Sequence, residues 1–370
     1  MPKPGSGPDP TLVFSHHTHS SCYQVTVNDV RGIDIAPVTA WMEENIEGAR
    51  GPFEFEFITG GHSNLTYRVT GADGSTYVLR RPPLGAVIAT AHDMAREHKI
   101  ISGVGHTAVP VPDALGLCNE EAVNGAPFYI MSYVDGEVLH SSEVAEDVTT
   151  LEVRATISDS VVDVLAALHT ADPDAIGLGD LGRKEAYLDR QLKRWAGQWE
   201  KTKTRELPSM ERAHELLVAA KPEQRYTGVV HGDYRLGNML VNAATGSVDA
   251  VLDWELCTLG DVLADVGYLL NNWVQPGEES LRGATAFPTM VGGFSTREAL
   301  VARYIDKTGF EVGDVNYYRA FQNWRLAAIV EGVLARYLKG VMGDDPVDTD
   351  AYREQVGALA NEALVLLGEA

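Results

Sequence analysis

His231-Gly232-Asp233-Tyr234-Arg235-Leu236-Gly237-Asn238 is followed, beyond a short apolar strand pattern, by Leu252-Asp253-Trp254-Glu255. Moving a phosphoryl group from a nucleoside triphosphate to a hydroxyl needs a carboxylate beside the attacking oxygen. It also needs oxygen ligands for the cation that neutralises the triphosphate. Asp233 is placed to orient the hydroxyl and accept its proton, while Asn238 and Asp253 are oxygen ligands suited to Mg²⁺, which takes few protein ligands plus phosphate oxygens. Taken singly, His-Gly-Asp reads as a tight turn and Leu-Asp-Trp as a strand end. The order points to phosphoryl transfer: an Asp, an Asn five positions on, and a second Asp beyond a strand.

Upstream, Ile58-Thr59-Gly60-Gly61-His62-Ser63-Asn64-Leu65 lies between two strand patterns. Glycines there let backbone N–H groups approach phosphates closely, which makes Gly60, Gly61, Ser63 and Asn64 candidate nucleotide contacts. Most glycine pairs are ordinary hairpin turns, so this one draws its weight from position. Arg80, in Tyr77-Val78-Leu79-Arg80-Arg81-Pro82-Pro83, stands where a phosphate-pairing cation is expected, and Glu97 on the next helical pattern is its candidate partner. A plain surface ion pair is the alternative.

In order and wording these motifs resemble the aminoglycoside phosphotransferase-like (choline kinase-type) family over roughly residues 35–370. The resemblance implies a protein-kinase-like α+β fold of two lobes, an N-lobe antiparallel β-sheet with a helix over 31–134 and a mainly α-helical C-lobe over 135–370. It also implies Asp233 as base, Asn238 and Asp253 as metal ligands, 59–66 as the nucleotide loop, and 130–136, with Met131 and Tyr133, as the linker holding the base of ATP or GTP. Asp261 and Asp265 match positions that brace the catalytic loop in that family. A helix N-cap for Asp261 and a solvated face for Asp265 are the competing readings. Family members often carry Lys where this chain has Arg80, whose bidentate fork differs in reach. The wording around 61–64 and 78–83 looks closest to a subgroup of kinase-like domains fused to acyl-CoA dehydrogenases, for which antibiotic modification does not follow.

Further out, 370 residues at 45% hydrophobic suit two lobes better than one core. Residues 1–30, rich in Pro, Gly, Ser, Thr and His, lack periodic apolar content and read as a disordered tail. Val38, Trp41, Met42 and Ile46 recur at helical spacing, Phe53, Phe55 and Phe57 alternate as in a strand, and Gly71-Ala72-Asp73-Gly74 marks a hairpin. A helix over 89–101 and a strand over 128–134 follow. Beyond residue 150 the pattern is helical, apart from strands at 228–230 and 248–252. A net charge of −22 disfavours nucleic acid and anionic membrane as partners. The three cysteines show no metal spacing, and no apolar run approaches a bilayer span or a signal peptide, so a cytoplasmic protein is expected.

The acceptor is the open question. Residues 183–205 carry eight basic side chains against three acidic ones. Such an island suits an anionic acceptor such as a hydroxyacyl-CoA, or it is a solvated helix with pairs such as Asp189 to Lys193. Glu255, Glu278, Glu279 and Glu331 keep a cationic aminoglycoside open as the acceptor. Trp195, Trp199, Trp254, Trp273 and Trp324 read as core, and His169 as a structural residue. A small-molecule kinase is the leading reading and a nucleotide-binding pseudokinase the rival, kept alive by Arg80. A protein kinase is disfavoured by His231-Gly232-Asp233 in place of His-Arg-Asp.

Overall fold

The computed structural model describes residues 30–58, 64–85, 93–281, 287–340 and 348–369. All but Val30 of the expected tail, together with Gly60, Gly61 and Ser63, therefore lies outside the described residues. The chain opens with helix α1 (Ile35–Asn45), then strands β1 (Glu54–Phe57), β2 (Leu65–Thr70) and β3 (Thr76–Arg81), helix α2 (Met94–Val104), β4 (Ala114–Cys118), the short α3 (Glu121–Asn124) and β5 (Phe128–Ser132). The five strands form one antiparallel sheet in the order β1-β2-β3-β5-β4. Gly74, at φ +84°, makes the β2–β3 turn, as the Asp-Gly pair predicts.

Period-two alternation divides the sheet between two cores. Tyr77 and Leu79 of β3 and Phe128 and Ile130 of β5 pack with Val38 and Met42 of α1. Val78, Tyr129 and Met131, from the other face, join the core that continues into the helical part. That second face therefore forms one wall of the space between the lobes. Phe57 departs from the expected alternation: it is 45% exposed at the sheet edge, against 6% for Phe53.

The helical part holds α4 (Ser142–Val148), α5 (Leu151–Thr170), α6 (Tyr187–Thr202), α7 (Pro208–Ala219), α8 (Leu263–Asn271), α9 (Arg297–Thr308), α10 (Val315–Leu338) and α11 (Thr349–Leu366). Between α7 and α8 lie β6 (Thr227–Val230), β7 (Met239–Val241), β8 (Val248–Val251) and β9 (Thr258–Asp261). The two strands expected here pair with two that the sequence pattern does not reveal, β6 with β9 and β8 with β7. These ribbons are three or four residues long, too short for periodicity to show. Together they present residues 231–238 and 252–257 beside each other.

α10 is the central post. Tyr318, Phe321, Trp324, Ala327 and Ala328 are each 3% exposed or less, and Trp254, Trp273 and Trp199 are equally buried, which bears out the core reading. Against α10, α8 comes close enough that a Cβ on Gly267 would lie 2.6 Å from the Tyr318 carbonyl carbon. Gly267→Ala should therefore push α8 off α10 and lower the free energy of unfolding by about 1–3 kcal/mol, read as an earlier urea midpoint at unchanged slope. No helix among the described residues is long and apolar enough to cross a membrane.

Candidate active site

A buried carboxylate fixes the loop after β6. Asp265, in the first turn of α8 and 0% exposed, accepts hydrogen bonds from the backbone N–H groups of His231 at 2.6 Å and Gly232 at 2.9 Å. Its third neighbour is His169 Nε2 at 3.4 Å, and His169 Nδ1 lies 2.7 Å from the Tyr304 hydroxyl. Burial alone would raise the Asp265 carboxyl, but His169 and the Gly232 N–H hold it below the usual carboxylate value. A solvated face for Asp265 is thereby corrected to a brace beneath the loop, and His169 is structural as expected. Asp261 is also 0% exposed; it bonds the Tyr318 hydroxyl at 2.9 Å and accepts the Leu263 N–H at 3.2 Å, and burial pushes its carboxyl up to about 6. Asp261 is neither the helix N-cap, which is Val262, nor bonded to the 231–238 loop; it ties the start of α8 to Tyr318 of α10.

His231 joins the two motifs. Its Nε2 donates to the Leu252 carbonyl at 3.0 Å and its Nδ1 accepts the Asp233 N–H at 3.2 Å, a pair of partners that defines the neutral Nε2–H tautomer. The Leu252 N–H in turn donates to the Asn238 carbonyl at 2.8 Å. These bonds hold Asp233, Asn238 and Asp253 in one constellation. Asp253 adopts φ +64°, ψ 66°, the left-handed region, at a strain of about 1–3 kcal/mol.

The Asp233 side chain has three donors around it. Asn238 Nδ2 donates to Oδ2 at 2.7 Å and to the Asp233 backbone carbonyl at 2.9 Å, Arg235 Nε lies 3.3 Å from Oδ1, and the Tyr268 hydroxyl donates to Oδ1. The Asn238 amide nitrogen is so engaged, whereas Asn238 Oδ1 takes no hydrogen bond among the described residues. Asp253 Oδ2 is likewise unbonded among them. An amide oxygen and a carboxylate oxygen are a donor set that fits a hard divalent cation.

Arg80 crosses from β3 to this constellation. Its Nη2 is 2.7 Å from Asp253 Oδ1, and its Nε is 2.9 Å from Glu97 Oε2, an ion pair too bent to be a hydrogen bond. Glu97, 2% exposed, also accepts from Asn64 Nδ2 at 2.9 Å and the Tyr129 hydroxyl at 3.2 Å. Desolvation pushes Glu97 up to about 7, with Arg80 pulling it back only in part. Burial alone would lower Arg80, but Tyr129, Glu97 and Asp253 raise it. The expected Arg80–Glu97 pair thus forms as a buried contact, and Asn64 ties the described end of the glycine-containing segment to it.

Two cavities lie near the constellation, one lined by Asp253 and the other by Tyr268, the partner of Asp233. One, of about 250 Å³, is walled by Val78, Arg80, Tyr129, Met131, Tyr133 and Val134 from the sheet side and Leu240, Leu252, Asp253 and Trp254 from below. Arg68 caps the Tyr133 ring at 4.8 Å. The other, of about 310 Å³, lies among α8, α10 and α11 and is lined by Tyr268, Asn271, Arg297, Arg319, Gln322, Asn323 and Glu362 among others. The basic stretch 183–205 forms neither. Lys184, Lys203 and Arg205 pair with Asp174, Glu200 and Glu331, and Asp189 pairs with Lys221 rather than Lys193. Sequence reasoning missed Tyr268 and Tyr129. The signal for Tyr268 was its spacing three residues after Asp265, which sets both on one face of a helix.

The model of the phosphotransferase enzyme family matches residues 54–287. The chain belongs to that family. It is 35% identical to acyl-CoA dehydrogenase family member 10 of Mus musculus over 78% of this chain and 27% of that protein. Across that protein and similar acyl-CoA dehydrogenases the chain spans 27–40% of their length. A Ralstonia eutropha protein provisionally described as an aminoglycoside phosphotransferase superposes at TM-score 0.77 with 33% identity, over 90% of this chain and 97% of that one. The GDP complex of aminoglycoside 2′-phosphotransferase-IIIa shares the fold at TM-score 0.57 and 14% identity, over 89% and 97%. The two-lobed kinase-like fold and the class of small-molecule kinase are therefore those of this chain.

Asp265→Ala should strand the His231 and Gly232 N–H groups in the interior and cost about 3 kcal/mol of stability, measured by urea unfolding. Glu97 carries a pH signature. Its folded value of about 7 lies above the reference of 4.5, so the stability it contributes is present below about 4.5 and lost as pH rises through about 7. Glu97→Gln removes that titration. From pH 5 to pH 8 the wild-type Tm should fall relative to the variant's; parallel Tm curves would contradict the shift.

Proposed function

We propose that the chain transfers the γ-phosphoryl group of ATP or GTP to a hydroxyl of a small acceptor, with Asp233 as base and Mg²⁺ held by Asn238 and Asp253. The observation that supports this reading is that Asp233, which lines neither cavity itself, is hydrogen-bonded towards both. Asp233 is bonded on one side by Asn238, which leads through Leu252 to the sheet-side cleft, and on the other by Tyr268, which lines the cavity among α8, α10 and α11.

The nucleotide base fits the apolar cleft between Met131, Tyr133 and Leu240, with Arg80 directed at the phosphates. The acceptor's O–H proton passes to the Asp233 carboxylate as its oxygen bonds to the γ-phosphorus and the bridging oxygen–phosphorus bond breaks, releasing the nucleoside diphosphate. The cation supplies charge neutralisation at the phosphate oxygens.

For the acceptor we favour a hydroxyacyl thioester of CoA over a polycationic aminoglycoside. The cavity among α8, α10 and α11 displays two guanidiniums, Arg297 and Arg319, and three carboxylates, Glu278, Glu279 and Glu362, so its charge does not choose between an anionic and a cationic acceptor. Arg297 is matched by Glu278, whereas the partners of Arg319 within hydrogen-bond reach are the amides of Asn271 and Asn316. Relatives of the chain named acyl-CoA dehydrogenases supply the thioester class. A nucleotide-binding scaffold without turnover is the second reading, and the Arg80 contact on Asp253 favours it by occupying one oxygen of the metal ligand.

The test is ADP and GDP release from the purified chain with ATP or GTP and Mg²⁺ across hydroxyacyl-CoAs, aminoglycosides and simple hydroxylated metabolites. Acceptor-dependent release should fall by about 10²–10⁴ in Asp233→Ala. Tight nucleotide binding with no release for any acceptor would instead support the scaffold.

A further inference from the structure

We propose that Tyr268 is a positioning residue for the reaction, occupying Oδ1 of Asp233 together with Arg235 so that the acceptor hydroxyl is received on Oδ2. This rests on the reading of Asp233 as base. An ionised carboxylate offers about two acceptor sites on each oxygen. Oδ1 faces two donors, the Tyr268 hydroxyl and Arg235 Nε, and is filled; Oδ2 faces one, Asn238 Nδ2, and keeps one site open. Two of the donors, Arg235 and Asn238, come from the loop that carries Asp233 and the third, Tyr268, from α8, and bonds on both oxygens oppose rotation of the carboxylate about its Cβ–Cγ bond.

The position of the phenol is fixed by the helix that fixes the loop itself. Tyr268 lies on α8 between Asp265, which grips the backbone of residues 231 and 232, and Asn271, whose amide bonds the Arg319 backbone carbonyl on α10 at 2.8 Å. Gly267 sets the depth of that helix against Tyr318. One rigid element thus places both the backbone that carries Asp233 and the hydroxyl that orients its side chain. Because Tyr268 also lines the cavity among α8, α10 and α11, the same ring joins that cavity to the Asp233 side chain.

Tyr268→Phe keeps the ring and removes only the donor. The measurement is hydrolysis of ATP·Mg²⁺ with water as the sole acceptor, for wild type, Tyr268→Phe and Asp233→Ala, together with crystal structures of wild type and Tyr268→Phe. The expected result is a kcat for Tyr268→Phe lowered roughly tenfold, with the KM for ATP and the Tm unchanged and the Asp233 carboxylate rotated or split between conformations. An unchanged kcat, or a loss expressed only in KM, would overturn the proposal. A raised kcat would also overturn it, by showing that the phenol blocks the base. If wild type and Asp233→Ala hydrolyse ATP alike, the reading of Asp233 as base fails, and the crystallographic comparison alone decides whether Tyr268 holds the carboxylate: an Asp233 unmoved in Tyr268→Phe rejects that role.

Discussion

The rest of the site depends on a negative charge with no access to water. Asp265 is tolerable in the interior because two backbone N–H groups and an imidazole surround it, and those N–H groups belong to His231 and Gly232. A buried carboxylate without such donors would be expelled or neutralised, and buried N–H groups without an acceptor would not stay in this turn. Each side of the arrangement requires the other. From there His231 passes the constraint through Nε2 to Leu252, and hence to Asp253, while its Nδ1 holds the Asp233 N–H. A loop of irregular backbone is thus held as firmly as a strand.

The link to the sheet is electrostatic. Arg80 reaches Glu97 on α2 and Asp253 beyond β8 with different nitrogens of one planar fork, which a single ammonium could match only by sharing its one nitrogen. Arg80 thereby ties the sheet to Asp253 through a nitrogen separate from the one that meets Glu97. The strained backbone at Asp253 fits the same picture: the left-handed conformation persists because His231, Asn238 and Arg80 over-determine the segment around it. The Asn64 and Tyr129 bonds to Glu97 extend this network to the described edge of the glycine-containing segment.

The long helices α5, α10 and α11 and the β2–β3 hairpin were legible in the sequence, because each repeats its apolar period often enough to rise above chance or carries a turn residue of fixed geometry. β7 and β9 were not, since strands of three or four residues show no period. The basic stretch at 183–205 shows what net charge along a segment leaves out, the carboxylates that other parts of the chain bring to it: Asp174 meets Lys184 from ten residues upstream and Glu331 meets Arg205 from 126 residues downstream.

By itself the sequence determined the chemistry on offer, an Asp, an Asn and a second Asp in the order that phosphoryl transfer uses, with a cation and a carboxylate placed upstream of them. These residues could be read because short-range spacing within one loop and along one strand nearly dictates their relative placement. Only the tertiary structure decided which groups surround the Asp233 side chain, and which residues wall the two nearby cavities. Tyr268 meets Asp233 across 35 residues and Arg80 meets Asp253 across 173. Contacts at such separations arise from helix packing and lobe docking, which the local pattern of side chains does not encode.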